Sequence, residues 1–236
     1  MVNRITGQLL DGLFPSYCSL CKWHCPGPLP LCQDCRNELP ANEHACRLCA
    51  SPLPTAVSGV CGTCLQSPPT FDRAIAPWLY GEYLACLVHR WKFSGARHLT
   101  TLLADLWLQQ VADPPAVDAV IPVPLHWLRH WRRGYNQAEL LALALQRRLP
   151  QLQLATGLLQ RSRRTAAQST MAAEARRRNL TGAFTAAGGC ANLRLAVVDD
   201  VLTTGATAEA VASALKASGA RHVEIWCLAR TPSPGD

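Results

Sequence analysis

The sequence predicts an α/β protein in which helices cover both faces of a parallel sheet and a small cysteine-rich domain precedes the sheet. Three observations support this prediction. From Phe71 onward, apolar runs of strand length alternate with runs of helical periodicity, an order typical of parallel sheets. Nine of the 12 cysteines lie within the first 64 residues. Of the 236 residues, 49% are hydrophobic and 17% are charged, which excludes a disordered chain.

Eight of the cysteines form four C-x-x-C pairs separated by ten, ten and eleven residues: Cys18/Cys21, Cys32/Cys35, Cys46/Cys49 and Cys61/Cys64. Two such pairs close a tetrahedral zinc site of four thiolates, so we expect two structural zinc ions. Disulfides and an iron–sulfur cluster are the alternatives, but nothing indicates secretion, and iron–sulfur spacings are tighter and less regular. Joining of consecutive pairs is favoured over an interleaved cross-brace because it needs only local loops.

The change in sequence texture places a domain boundary at the Ser-Pro-Pro-Thr stretch. Residues 1–68 are predicted to hold an N-terminal helix and the metal-binding module, and residues 69–236 the α/β domain. No run of eighteen apolar residues occurs, and the first residues lack the apolar core of a signal peptide. We therefore expect a cytoplasmic protein with no membrane span.

The elements of the second domain follow from apolar periodicity. Compact apolar runs predict strands at 73–80, 117–121, 195–198 and 223–228. Apolar residues at helical spacing predict helices at 83–91, 96–111, 136–149 and 206–217, the third starting at Asn136 or Gln137. The paired glycines of 186–191 predict a loop or hairpin tip.

The most informative segment is LAVVDDVLTTGAT, residues 195–207. Its strand ends in Asp199 and Asp200, at the edge where open α/β sheets bind ligands. The loop and helix start that follow offer hydroxyls, a permissive glycine and free N–H groups for a phosphate: Thr203, Thr204, Gly205, Ala206 and Thr207. Carboxylates beside such an anion site suit the hydroxyls of an attached sugar, which predicts a ribose 5-phosphate site. A strand followed by an ordinary capped helix is the alternative.

This segment resembles the motif of type I phosphoribosyltransferases that binds 5-phosphoribosyl 1-pyrophosphate (PRPP). The resemblance implies that Asp199 and Asp200 hold the ribose hydroxyls at the catalytic centre and that 203–207 wraps the 5-phosphate, with Mg²⁺ accompanying PRPP. The whole chain also resembles the ComF family (ComFC and GntX proteins). The matching segments are the cysteine pairs, KFSG at 92–95, PVPLHWLRHWRRGYNQ at 122–137, RSRRTAAQSTMAAEARRRNLTGAF at 161–184 and VEIWCLART at 223–231. The implied fold is a type I phosphoribosyltransferase-like core after a double zinc ribbon.

Arginine dominates the positive charge: the formal net charge is +7, and only three of the 23 cations are lysines. Arginine matches phosphate oxygens in pairs, which favours phosphorylated ligands or nucleic acid, although a high-GC genome explains the excess equally well. Arg132 and Arg133 follow the 117–121 strand and are candidates for gripping pyrophosphate. Arg161 and Arg163 begin a segment that resembles the mobile loop closing over PRPP. Solvated basic surfaces are the alternative for both.

Two functions remain open on these residues. One is an active phosphoribosyltransferase on an unidentified acceptor. The other is a protein that binds PRPP without turnover, as a sensor or a nucleic-acid-binding protein. The ComF resemblance implies a role in natural competence, in which the protein handles imported single-stranded DNA. A competence helicase or another DNA-processing protein is then the expected partner. A GntX-like role in carbon-source use is a less well supported implication of the same resemblance. Trp127, Trp131 and Tyr135 interleave with arginines and are candidates for stacking on bases, with core packing the alternative.

Overall fold

The computed structural model describes residues 16–54, 59–111, 113–125, 128, 131, 133–161, 180 and 182–232. The predicted N-terminal helix lies outside these residues. Along the chain the elements are α1 (Gln33–Asn37), α2 (Gly62–Gln66), β1 (Arg73–Ile75), β2 (Trp78–Leu79), α3 (Glu82–Phe93), α4 (Leu99–Gln110), β3 (Ala119–Pro122), α5 (Gln137–Arg148), β4 (Leu159–Arg161), β5 (Phe184–Ala186), β6 (Arg194–Val198), β7 (Val201–Leu202), α6 (Ala206–Ala217), β8 (His222–Trp226) and β9 (Ala229–Arg230).

The main sheet of the described chain has the strand order β1-β8-β6-β3, and all of its neighbours are parallel. The register pairs Ala196 with Glu224 and with Val120. The central strands β6 and β8 are buried over their last four residues, as expected of parallel strands covered on both faces. The predicted parallel α/β core behind a cysteine-rich module is therefore confirmed.

Alternate residues of β6 enter two different cores. Ala196 and Val198 belong to a cluster with the buried faces of α3, α4 and α5, whereas Leu195 and Val197 belong to a cluster with α6. Because successive strand residues point to opposite faces, helices cover both faces of the sheet. Trp107 on α4 is buried in the first cluster, and its indole N–H donates to the carbonyl of Cys227 at 3.0 Å.

A second, short sheet continues three strands of the first. Its order is β2-β9-β7, and these strands follow β1, β8 and β6, respectively, after a break of two residues. The single strand predicted at 73–80 is thus interrupted at 76–77, where Pro77 has no N–H to donate to a ladder. In β6 the break falls on Asp199 and Asp200, which turns both carboxylates out of the regular strand.

The other predicted elements are confirmed with shifts of a few residues at their ends. Asn136 caps α5 by accepting a hydrogen bond from the N–H of Ala138 at 3.1 Å, as the sequence suggests. The antiparallel pair β4–β5 was not predicted, because each strand is only three residues long and its partner is distant along the chain, as Gln160 pairs with Thr185. None of the described helices combines the length and apolar character that crossing a bilayer requires.

The cysteine-rich module packs directly on the α/β core. Cys18, Cys25 and Leu31 belong to the same buried cluster as α3 and α4, and Ala50 belongs to the cluster under α6. The module, short of apolar residues of its own, buries what it has against the larger domain.

Candidate functional site

The eight paired cysteines form two separate clusters, Cys18/Cys21/Cys32/Cys35 and Cys46/Cys49/Cys61/Cys64. In each cluster the ligand atoms all lie within 4.8 Å of one another. The joining of consecutive C-x-x-C pairs, favoured from loop length, is therefore confirmed. We call residues 18–35 the first ribbon and residues 46–64 the second ribbon.

The sulfur spacing fits zinc and excludes disulfides. Sγ of Cys21 lies 3.7 Å from Sγ of Cys32, and Sγ of Cys49 lies 3.6 Å from Sγ of Cys61. Thiolates bound tetrahedrally at 2.3 Å would be about 3.8 Å apart, whereas a disulfide needs about 2.05 Å. None of the 12 cysteines, all of which are among the described residues, forms a disulfide. The clusters are thus consistent with two structural zinc ions.

The ribbon backbone prepares one thiolate in each cluster. Burial alone raises the pKa of Cys18, but the N–H groups of Cys32, Cys21 and Leu20 outweigh it and lower that pKa to about 6. In the second ribbon, burial is likewise outweighed by N–H groups, which lower the pKa of Cys46 to about 7. Hydrogen bonds from N–H groups to sulfur stabilise the charged form that metals bind.

The acidic pair stands at the break between β6 and β7, at the carboxyl edge of the main sheet. The N–H of Asp200 donates to Oδ1 of Asp199 at 2.8 Å, and the N–H of Val201 donates to Oδ1 of Asp200 at 2.6 Å. These local bonds hold both carboxylates in place at the strand end. Two neighbouring carboxylates can accept hydrogen bonds from two hydroxyls of one small polar ligand.

Asp199 has an unusual affinity for protons. Burial, reinforced by the negative charge of Asp200, raises the pKa of Asp199 to about 7, although the N–H of Asp200 and the positive charges of Lys92 and Arg161 oppose the rise. A carboxyl that titrates near neutrality is typical of functional clefts.

Lys92, at the end of α3, neutralises the second carboxylate. Its Nζ lies 2.8 Å from Oδ1 of Asp200, and both side chains are only 18% exposed. Lys92 begins the KFSG segment that matches the family, but the sequence pattern alone assigned no role to this lysine. Lys92 is therefore a site residue that the sequence analysis did not predict. The available signal was composition, because Lys92 is one of only three lysines among 23 cations.

The loop after β7 leads directly into α6. Gly205 caps this 12-residue helix with a left-handed φ of 77°, and a Cβ built there would have no atom within 4 Å. The glycine is therefore needed for its conformation, and it leaves open space beside the first turn. The N–H groups of that turn lack intrahelical acceptors and, with the helix dipole, can hold an anion.

A cavity of about 280 Å³ joins these features. Asp199, Asp200, Thr203, Thr204, Gly205 and Thr207 line it, together with Lys92, Arg133, Arg161 and Tyr80. The structure thus brings together the predicted acidic pair and nearly all of the predicted loop, and it adds Lys92 and Tyr80. Ala206 lies at the first position of α6 but is not among the lining residues.

Two of the predicted arginines reach this cavity. Arg133 donates to Oε1 of Gln137 at 3.0 Å, and its guanidinium lies 4.8 Å from the ring centre of Phe93. The guanidinium of Arg161 lies 5.3 Å from the ring centre of Phe184. Arg132 and Arg163 lie outside the described residues, as does Trp127.

The candidate stacking residues differ in exposure. Trp131 is 79% exposed and accessible to a base. The interpretation of Tyr135 as a stacking residue is wrong, because its ring is buried under the guanidinium of Arg97 at 4.5 Å and its hydroxyl donates to the carbonyl of Trp91. Core packing, the alternative weighed from the sequence, accounts for this tyrosine.

Known proteins align with nearly the whole chain. The chain is 37% identical over 221 residues to the DNA utilization protein YhgH of Escherichia coli O157:H7, covering 89% of this chain and 96% of that protein. It is 35% identical to Competence protein F of Haemophilus influenzae, covering 88% and 95% of the two chains. The chain belongs to the ComF family. More distantly, it is 25% identical to Competence protein ComFC of Bacillus subtilis, covering 85% of this chain and 84% of that one.

Two further comparisons concern parts of this ComF-family chain. Residues 9–65 match the model of the double zinc ribbon domain, a range that contains both cysteine clusters. A solved structure, the glutamine PRPP amidotransferase from B. subtilis complexed with ADP and GMP, shares 18% identity at a TM-score of 0.37. That match covers 56% of this chain and 25% of the amidotransferase chain.

Proposed function

We propose that the cavity at the end of β6 binds PRPP and that the protein uses this site in the utilisation of imported DNA. The observation that carries the first half is the meeting, in one cavity, of paired carboxylates, a cationic group and a glycine-capped helix start. An anion at the helix start, a diol at the carboxylates and further anions at the cations describe the parts of PRPP in order along one molecule.

Each end of the cavity has a distinct task in this proposal. Thr203, Thr204 and Thr207 give hydroxyls, and the first turn of α6 gives N–H groups, to the 5-phosphate. Asp199 and Asp200 accept hydrogen bonds from the ribose hydroxyls. Arg133 and Arg161, which line the same cavity, face the pyrophosphate that such a ligand carries. Mg²⁺ bound with PRPP would neutralise part of the pyrophosphate charge.

Lys92 makes the acidic pair compatible with an anionic ligand. Two adjacent carboxylates would repel the ligand's phosphates, but the ion pair at 2.8 Å removes one net charge, and partial protonation of Asp199 near neutrality removes part of the other. The site therefore keeps the carboxyl oxygens that accept hydrogen bonds but carries less negative charge than two free carboxylates would.

The test is calorimetric titration of PRPP with Mg²⁺ into the full-length protein and its variants. The double variant Asp199→Asn/Asp200→Asn should lose at least tenfold in affinity. Asp105→Asn is the matched control, since Asp105 pairs with Arg148 between α4 and α5 and does not line the cavity. Equal affinities in all three proteins would remove the ribose assignment.

Turnover separates an enzyme from a sensor. If the protein transfers the ribose 5-phosphate group, the anomeric bond to pyrophosphate breaks as a bond to the acceptor forms, and one pyrophosphate is released for each acceptor modified. Pyrophosphate release, assayed with nucleobases and with single-stranded DNA as acceptors, distinguishes the two. Binding without release would favour the sensor.

The role in DNA utilisation rests on the relatives' names and on an exposed aromatic residue. The relatives are named for DNA utilization and competence. Trp131, 79% exposed, is followed two residues later by the cavity-lining Arg133. A base stacked on the tryptophan with its phosphate near the arginine would bind single-stranded DNA without sequence preference. Trp131→Ala should weaken an oligonucleotide complex, and Trp23→Ala, also exposed at 77%, is the matched control.

A further inference from the structure

Arg230, the last residue of β9, joins the second ribbon to the loop that lines the cavity. It is 7% exposed and is not among the cavity-lining residues. On one side its Nε donates to the carbonyl of Cys49 at 3.2 Å, and its Nη2 donates to Oγ of Ser51 at 3.0 Å. On the other side its Nη1 donates to the carbonyl of Leu202 at 3.1 Å and to that of Thr203.

The rigid guanidinium of Arg230 fixes the distance between the second ribbon and the loop that lines the cavity. The guanidinium is planar, so donors on its two sides cannot move independently. One side holds Cys49, a member of the second cysteine cluster, and the other holds the two carbonyls that lead into the loop. A change in the position of the second ribbon therefore moves the loop or breaks these bonds.

The same bonds orient the loop's N–H groups. In a trans peptide the C=O and N–H of one unit point in opposite directions. Since the carbonyls of Leu202 and Thr203 point to Arg230, the N–H groups of Thr203 and Thr204 point away from it. Arg230 thus supports the loop from behind and leaves these donors available on the opposite side.

We propose that Arg230 is a positioning residue that couples metal loading of the second ribbon to the order of the loop at 203–205. The identity of the loop's ligand rests on the proposed function, whereas the coupling does not. By thermodynamic linkage, an anion that binds the ordered loop must also strengthen metal binding at the second ribbon.

The first experiment needs no ligand. Amide hydrogen exchange is measured for peptides covering 203–210 in zinc-loaded wild type, Arg230→Met and Arg148→Met. The reporting amide is the N–H of Glu209, which donates to the carbonyl of Gly205 at 2.8 Å and loses that acceptor when the loop loosens. Arg148 is the matched control, because it pairs with Asp105 away from the loop. We expect at least tenfold faster exchange in Arg230→Met, with both zinc ions retained, and wild-type exchange in Arg148→Met. Unchanged exchange in Arg230→Met would overturn the coupling.

A milder variant covers the case in which Arg230→Met does not fold. Ser51→Ala removes one acceptor on the ribbon side and touches no loop atom, so it should raise loop exchange about threefold. A further measurement compares fully zinc-loaded wild type with wild type from which limited chelation has removed zinc at one site. Loop exchange should rise when the second ribbon loses zinc, and an unaffected loop would refute the proposal.

The second experiment uses ribose 5-phosphate as the probe. It should protect one of the two zinc ions in wild type, raising at least threefold the chelator concentration that removes that ion at equilibrium, and Arg230→Met should abolish that protection. If wild type does not bind the probe but Arg230→Met still loosens the loop, the PRPP proposal fails and the coupling stands. If the probe binds and protects neither zinc, the coupling fails and the PRPP proposal stands.

Discussion

Replacing Asp199 with asparagine should remove the pH dependence that this carboxyl imposes on folding. Burial and the neighbouring Asp200 charge raise the pKa of Asp199 from 3.8 to about 7. At about 1.36 kcal/mol per pKa unit, a shift of about three units corresponds to about 4 kcal/mol of differential stability. Asparagine keeps the oxygen that accepts the N–H of Asp200 but never ionises.

The sign follows from proton uptake. Between pH 4 and 7 the folded protein holds a proton on Asp199 that the unfolded chain has lost, so the free energy of unfolding falls as pH rises through that window. The loss from this group is complete above pH 7. Relative to wild type, Asp199→Asn should therefore become more stable by up to about 4 kcal/mol between pH 4 and pH 8.

Urea unfolding of both proteins at half-unit pH intervals measures the difference. Asp72→Asn is the contrasting control: although burial raises its pKa, Lys216 and the N–H of Val223 lower it below 3.8 overall. Stabilisation by the Asp72 carboxylate is present throughout pH 5–8 and lost only as pH falls below that range. Any slope that Asp72→Asn shows there comes from the contact with His222 at 3.6 Å and should be far smaller than the change of about 4 kcal/mol expected for Asp199→Asn. A difference between Asp199→Asn and wild type that does not change with pH would show that Asp199 is ionised in the folded protein throughout.

Other predictions test the remaining parts of the site. Elemental analysis should find about two zinc ions per chain, and strong chelation should abolish the fold of the ribbons, as seen by circular dichroism; iron in place of zinc would contradict this. Gly205→Ala should cost about 1 kcal/mol from left-handed strain and also weaken PRPP binding, whereas Gly188→Ala, at a φ of 86° with open space around it, should cost the same in thermal melts and leave binding unchanged. Lys92→Met should lower the free energy of unfolding by about 2 kcal/mol at pH 8. It should also raise the pH at which Asp199 titrates, because Lys92 lowers the pKa of Asp199. An unchanged titration of Asp199 by NMR would exclude the contact of Lys92 with the acidic pair.

Much of the site could be predicted because it is local in sequence. Strand, acidic pair, loop and helix start follow one another within residues 195–207, so one apolar run and one glycine place them on the same sheet edge. The two cysteine clusters were predictable for the same reason, since C-x-x-C geometry and short loops fix which sulfurs meet. The Asn136 cap of α5 likewise depends on its immediate neighbours.

The parts that sequence reasoning missed depend on contacts between distant residues. Lys92 meets Asp200 because α3 packs on the sheet beside β6, and nothing at position 92 announces that packing. Arg230 reaches Cys49 from 181 positions away along the chain. The break at 76–77 was visible as Pro77, but periodicity alone ran through it. Tyr135 alternates with arginines in sequence, yet the turn before α5 directs it into the core.

The zinc ribbons contact the elements that form both ends of the cavity. In the first ribbon, the carbonyl of Ser19 accepts a hydrogen bond from Arg90, two residues before Lys92 on α3. In the second, Arg230 links Cys49 to the loop. Holding an acidic pair and several cations in one small cavity is costly, about 4 kcal/mol for Asp199 alone by its pKa shift. A structural zinc ion contributes about 10–16 kcal/mol on binding unfolded ligands at neutral pH. Because that energy does not depend on apolar burial, it can stabilise the residues around a charged cavity. More hydrophobic packing there would instead increase the cost of desolvating the charges.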